Sequence, residues 1–335
     1  MGETTGISWT DHTFNPWEGC QRVSPGCENC YAEARNARFH PEDDVHAKRI
    51  VRSLMKGDGR ARGKHWGPPS TTPRLLRSAK YWSEPYRWDR DAKKAGKRAR
   101  VFCASLADVF EDHPEVVPAR LQLFKLIEET PNLDWQLLTK RPENMGRLAP
   151  ASWSTRWPDN VWAGATAENA EMLARRAPYL RQIPARVRFL SCEPLLEPLE
   201  PLDSELSPPC AGCAAAAEAF DAGGFSAASQ RFDSVKHTCE EPQIHWVIVG
   251  GESGARARPF LLDWARRLVV DCAELGIACF VKQMGDAPRL GYDGPDLADD
   301  EDDTIRPIKF AAHHGADPAE WPADLRVQQF PQEAL

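Results

Sequence analysis

From residue 100 onward six short apolar runs recur along the chain: Val101-Phe-Cys-Ala-Ser, Trp135-Gln-Leu-Leu-Thr, Val161-Trp-Ala-Gly-Ala, Val187-Arg-Phe-Leu-Ser, Trp246-Val-Ile-Val-Gly and Ile277-Ala-Cys-Phe-Val. Each is followed by polar or glycine residues, as strands buried on both faces are. The segments between them, among them Pro118 to Glu129, Asn169 to Leu180 and Leu262 to Leu275, place apolar residues three and four apart, the spacing of amphipathic helices. Strand and helix alternate with a repeat of about 25 to 35 residues, which predicts an α/β fold built on a parallel sheet, either doubly wound or closed as a partial or complete (β/α) barrel.

Two stretches depart from this rhythm. Residues 40 to 100 are polar and rich in Arg, Trp and Pro, with helices expected only near Arg35 to His40 and Ala79 to Arg90. Leu202 to Gln243 separates the fourth apolar run from the fifth and reads as an insertion, while Asp296 to Asp303 reads as an acidic, solvated loop. The expected organisation is a core over residues 1–285, a Cys/His insertion at 202–243 within it, and an acidic C-terminal extension at 286–335.

The chain of 335 residues, 42% of them hydrophobic, can bury one large core or two modest ones. A net charge of -7 gives no global case for non-specific nucleic-acid binding, although basic clusters stand at Lys93 to Arg100 and Arg256 to Arg258. The longest apolar runs fall well short of the roughly 20 residues that cross a bilayer, so no membrane partner is expected. The N-terminal stretch MGETTGISWTDHTF has neither the basic segment nor the apolar core of a signal peptide, and a cytoplasmic address follows. Ten cysteines in a reducing compartment then suggest metal binding or chemistry rather than disulfides.

In parallel α/β folds the site sits at the carboxyl ends of the strands. Here those ends carry Ser105 and Asp108; Thr139, Lys140 and Arg141; Thr166, Glu168 and Asn169; Ser191 and Glu193; Gly250, Gly251, Glu252 and Ser253; and Lys282 and Gln283. Any one of them could be a helix cap or half of a loop ion pair. Together they describe a polar pocket for a charged ligand, with the Gly250-Gly251 turn allowing backbone to approach it.

Upstream, Cys20, Cys27 and Cys30 form a C-x6-C-x2-C array in NPWEGCQRVSPGCENCYAE. Joined by His12 or His40, these thiols could close a zinc site; on their own they are what a 4Fe-4S cluster needs when one iron is left open. Within the insertion, Cys210, Cys213, His237 and Cys239 form C-x2-C-x23-H-x-C, a set that could hold zinc, a second cluster or no metal. Cys103, Cys192, Cys272 and Cys279 lie in apolar patterns and read as small core residues, with Cys192, between Ser191 and Glu193, also a candidate redox or radical-relay thiol.

The pattern NPWEGCQRVSPGCENCYAE, followed by SLADVF, LLTKRP, FLSCEPLL, WVIVGGESG and FVKQ, resembles the three-cysteine family named after phage gene products thirty-seven and sixty-eight, over roughly residues 5 to 285. That family is similar in turn to radical S-adenosylmethionine (radical SAM) enzymes, whose cluster usually sits on C-x3-C-x2-C after the first strand of a partial barrel. Here the first gap is six residues, and Asn29 stands where an aromatic residue is common.

The resemblance implies a barrel of the radical SAM type, with Cys20, Cys27 and Cys30 holding a 4Fe-4S cluster and S-adenosylmethionine chelating its open iron. It also implies an external electron donor and a nucleotide or nucleic-acid substrate. On this reading Glu252 and Ser253 lie near the ribose or methionine, Glu168 and Asn169 near the ribose, and Lys140 and Arg141 near a carboxylate or phosphate. Gly250, Gly251 and Lys282 complete the pocket, and Asp108, Glu193 and Cys192 are the candidate catalytic groups. Two other readings stay open: a non-catalytic zinc-binding, nucleic-acid-binding module, and a hydrolase using Asp108 and Glu193.

Overall fold

The computed structural model describes residues 5–40, 63–199, 244–291 and 305–332. The six runs read from the sequence, joined by one further strand, form a seven-stranded sheet: β1 (His12–Phe14), β2 (Ala99–Cys103), β3 (Leu133–Thr139), β4 (Val161–Thr166), β5 (Val187–Cys192), β6 (Trp246–Gly250) and β7 (Ala278–Gln283). Every pairing within it is parallel. The strand absent from the sequence reading is β1, a three-residue edge strand whose HTF carries no apolar run. The first apolar run is also shifted: β2 ends at Cys103, so Ser105 and Asp108 lie in the loop beyond it.

Strand order in the sheet follows chain order without reversal. A doubly wound sheet needs a switch point where the order turns back, so that alternative is not realised. With right-handed crossovers, sequential winding puts the connecting helices on one face and curls the sheet into a half-barrel. The larger helices are α1 (Tyr31–Phe39), α2 (Glu84–Ala95), α3 (Val117–Glu129), α4 (Ala170–Arg181) and α5 (Leu262–Glu274).

Alternation along each strand divides the side chains between two layers. Val101, Leu137, Ala163, Leu190, Val247 and Val281 join the layer shared with the helices, where Leu123, Leu173 and Leu268 pack. Phe102, Trp162, Phe189, Trp246, Ile248 and Phe280 fill the concave face with Trp9. Trp246 is the centre of that inner layer, with ring centroids of Trp9, Trp162, Phe189 and Phe280 between 5.6 and 6.1 Å away.

The C-terminal segment covers the open edge of β7. Val281 N donates to Val327 O at 2.8 Å and Gln329 N to Cys279 O at 2.9 Å. Phe330 packs on Trp246 and Phe280, the Arg100 guanidinium lies 4.0 Å from the Phe330 ring centre, and Trp321 is fully buried in the outer core. An exposed sheet edge invites pairing with other chains, and this segment occupies it. Residues 202–243 and 296–303 lie outside the described residues. Among the described residues no helix is long and apolar enough to cross a membrane.

Candidate functional site

Above the aromatic layer, at the carboxyl ends of the strands, a cavity of about 650 Å³ is lined by all three cysteines of the N-terminal array. Its floor includes Trp9, Phe102 and Leu138, and its walls include Lys140, Ser191, Glu193 and Lys282.

The chain enters this site through tight backbone contacts. Gly19 has φ +115, and a Cβ there would fall 2.4 Å from His65 O, so only glycine can precede Cys20. Gly19 N donates to Leu106 O at 3.0 Å, while buried Asn15 accepts from Leu106 N at 2.7 Å through its side-chain oxygen. Pro25–Cys27 forms a short 3-10 turn, and Cys30 begins α1. The hydroxyl of Tyr31 donates to Ser105 O at 2.7 Å.

Several of the strand-end carboxylates expected to meet a ligand instead grip this loop. Glu168 is fully buried; it accepts from Arg176 Nη1 at 2.6 Å and from Gly26 N at 2.9 Å. Burial alone would raise its carboxyl, but Arg176 and Lys140 outweigh that and hold it below the usual range. Glu252 accepts from Arg258 through both oxygens and from Asn29 Nδ2 at 3.0 Å. It too is held down, since the bonds from Arg258 and Asn29 overcome the effect of burial. Arg258 reaches further, donating from Nη1 to Pro25 O at 3.0 Å.

Asp108 is similarly engaged. It accepts from Thr139 Oγ1 at 2.6 Å, Arg141 Nη1 at 2.8 Å, Phe110 N at 2.9 Å and Lys140 N at 3.2 Å. Those bonds fill its acceptor capacity, and the one from Arg141 makes it a support for that guanidinium. Arg141 in turn donates from Nη2 to Gln21 O at 2.7 Å and places Nη1 3.6 Å from Cys20 Sγ.

Besides Glu168, three candidates do not line the cavity. Asn169 caps α4, accepting from Met172 N at 2.9 Å. Cys192 faces the helices in the outer core, fully buried, and that burial pushes its thiol up. Gly250 is the last residue of β6, its oxygen accepting from Leu195 N at 3.0 Å. The close approach allowed by Gly251 is to the chain itself: a Cβ there would fall 2.3 Å from Met284 O.

Glu193, Lys140, Lys282 and Ser253 line the cavity, as do Asp108, Arg141, Gly251 and Glu252. Lys282 Nζ pairs with Glu193 Oε1 at 2.5 Å, and Gln283 Nε2 lies 3.3 Å from the same oxygen. Lys140 reaches Thr166 Oγ1 at 3.4 Å; burial would lower it, but Cys27, Glu168 and Cys30 together raise it, so it is a firm cation beside the thiols.

Four residues passed over in the sequence also matter. Arg74 and Glu111 form a buried bidentate pair, both bonds 2.9 Å, and Glu111 Oε1 accepts from Gln21 N at 2.8 Å. Arg176 sits on α4 and carried no signal beyond helical spacing. His314, in the C-terminal segment, lines the cavity with Nδ1 2.7 Å from Asp286 Oδ2. A partner that is distant in sequence is what hid Glu111, 37 residues from Arg74.

Cys20, Cys27 and Cys30 are free thiols, Cys27 buried and the others half-buried. His12 stacks on Trp88 at 4.4 Å. Among the described residues, no group of three His, Cys, Asp or Glu side chains stands where it could hold a metal ion. The second set, Cys210, Cys213, His237 and Cys239, lies outside the described residues.

One family, described as "Protein of unknown function (DUF5131)", matches residues 4–305. No curated protein and no solved structure matches.

Proposed function

We propose that this chain, which belongs to the DUF5131 family, is an iron-sulfur enzyme of the radical SAM type. Cys20, Cys27 and Cys30 would hold a 4Fe-4S cluster with one iron left to S-adenosylmethionine. The observation that carries this reading is the meeting of three free thiols around one cavity at the strand ends of a parallel half-barrel. The donor set is all thiolate, which suits iron-sulfur ligation.

When bound, the cluster and S-adenosylmethionine supply one-electron cleavage of the sulfonium to methionine and a 5'-deoxyadenosyl radical, which takes hydrogen from an unactivated carbon; an external donor provides the electron. The chain's own part is to hold, orient and exclude water. Glu168 and Glu252 fix the cysteine loop through Gly26 and Asn29. The aromatic floor closes the cavity from below. Lys140 and Lys282 offer cations to a carboxylate or phosphate, which supports a nucleotide or nucleic-acid substrate, and Glu193 and Ser191 face the same space.

The test is anaerobic reconstitution of the full chain with iron and sulfide, followed by S-adenosylmethionine and dithionite. A brown protein that forms 5'-deoxyadenosine is expected, with both properties lost in Cys27→Ala. A colourless protein carrying zinc at the three cysteines under iron-replete conditions, or an intact cluster that never cleaves S-adenosylmethionine, would overturn the proposal.

A further inference from the structure

The three thiols do not share one environment. Cys27 Sγ lies 3.9 Å from Ser24 Oγ, and Lys140 acts on it and on Cys30 through space, without a hydrogen bond among the described residues. Cys30 stands at the N-cap of α1. Cys20 alone has a charged side chain at hydrogen-bonding distance among the described residues: Arg141 Nη1, 3.6 Å from the sulfur.

That guanidinium is held from every side. Asp108 Oδ2 accepts from Nη1 at 2.8 Å, Gln21 O accepts from Nη2 at 2.7 Å, and Glu111 Oε1 lies 3.6 Å from Nη2. Glu111 is itself fixed by Arg74, whose side chain is completely buried. Arg74, Glu111, Arg141 and Asp108 thus form a chain of two cations and two carboxylates, neutral as a whole, packed behind the first cysteine. Building such a group into low-dielectric surroundings stabilises weakly against an apolar replacement, so its presence here calls for a role beyond stability. Arg141 is the member that faces the cysteine, with Cys20 Sγ next to the same nitrogen that Asp108 binds.

Resting on the function proposed above, we propose that Arg141 is a positioning residue that sets the reduction potential of the cluster through Cys20. A cationic donor on a ligating sulfur withdraws electron density from the thiolate, which makes the cluster easier to reduce. The planar fork of arginine bridges Asp108, Gln21 O and the sulfur at once; a lysine ammonium is a single point and cannot. Arg141 therefore lifts the potential toward the reach of a low-potential one-electron donor, and Asp108 and Glu111 act by holding it in place.

The experiment compares the full chain with Arg141→Gln and Arg141→Lys, all reconstituted anaerobically. Iron and sulfide content report loading, and a mediator titration with dithionite followed by electron paramagnetic resonance gives the midpoint potential. The expected result is equal loading with a potential shifted negative in Arg141→Gln, and a smaller negative shift in Arg141→Lys, which keeps the charge opposite Asp108 and guards the fold. Equal potentials at equal loading overturn the inference and leave the proposed function standing. Loss of the cluster from both variants, with the fold intact by circular dichroism, also overturns it, since Arg141 is then only a latch on the loop. A wild-type chain that takes up no cluster fails the proposed function, and this inference with it.

Discussion

The inner face of the half-barrel holds two layers on the same strands. The lower one is Trp9, Phe102, Trp162, Phe189, Trp246 and Phe280, apolar and closed. Two residues further along, the same inward register presents Ser191 and Lys282, and beyond the strand ends stand Lys140, Glu193 and Glu252. The lower layer is held by area and shape, which act without direction. The upper layer is held by charge pairs and hydrogen bonds, which act only when geometry is met. The first can make the barrel; the second can make it specific, at the cost of being easier to break one contact at a time.

The strongest way to break this contrast is Trp246→Ala. The ring sits among five other aromatic rings and its Nε1 donates to Gln329 O at 2.9 Å, so truncation should cost about 3–5 kcal/mol. Urea unfolding should show the loss, and iron loading should fall with the fold.

Glu168→Gln should separate the two layers. It leaves Arg176 buried without its counter-charge, a loss of about 3 kcal/mol, and weakens the hold on Gly26. Cluster loading is expected to drop further than the unfolding midpoint does; equal losses in both would deny the loop-gripping role. Gly26→Ala attacks the same joint from the loop side. A Cβ there would fall 2.9 Å from the Glu168 carboxyl, an overpacking cost of about 1–3 kcal/mol. Iron content should fall while the sheet's circular dichroism stays unchanged.

The gentlest probe is pH. Glu168 and Glu252 are both held below the ordinary carboxyl value of 4.5. A depressed carboxyl contributes stability that is full above its unfolded value and is lost as pH falls through the folded one. Hydrogen exchange, corrected for intrinsic rate, should show the peptide over residues 20–30 losing protection below about pH 4.5 before the strands do. Loss in the strands first would reverse the ranking of the two layers.

Much of the lower layer was legible in the sequence, because apolar runs of four or five residues speak for themselves. Sequence also located the rim, since Lys140, Glu193, Glu252, Ser253 and Lys282 all reach the cavity. What it did not disclose was the direction in which each polar group is turned. Glu168 and Glu252 read as ligand contacts because they end strands; their bonds go to Arg176, Arg258, Gly26 and Asn29. Gly251 likewise read as room for a ligand and is room for Met284. A carboxylate's orientation depends on partners supplied by other loops, and no local pattern encodes them. The edge strand β1 was hidden for a simpler reason: three residues are too few to show a period.

The sequential strand order also bears on the time course of folding. From β2 to β5 each strand pairs with the next one in the chain across a short connection, so this part of the sheet can grow by successive additions with modest loop-closure entropy. The cysteine loop cannot. Its bonds join Gly26 to Glu168 across 142 residues and Asn29 to Glu252 across 223. It is therefore expected to lock last and to open first, a small cooperative unit above a persistent sheet. Pulse-labelling during refolding should find the strands protected while residues 20–30 still exchange. Such a unit would let a preformed cluster enter a barrel that is already built.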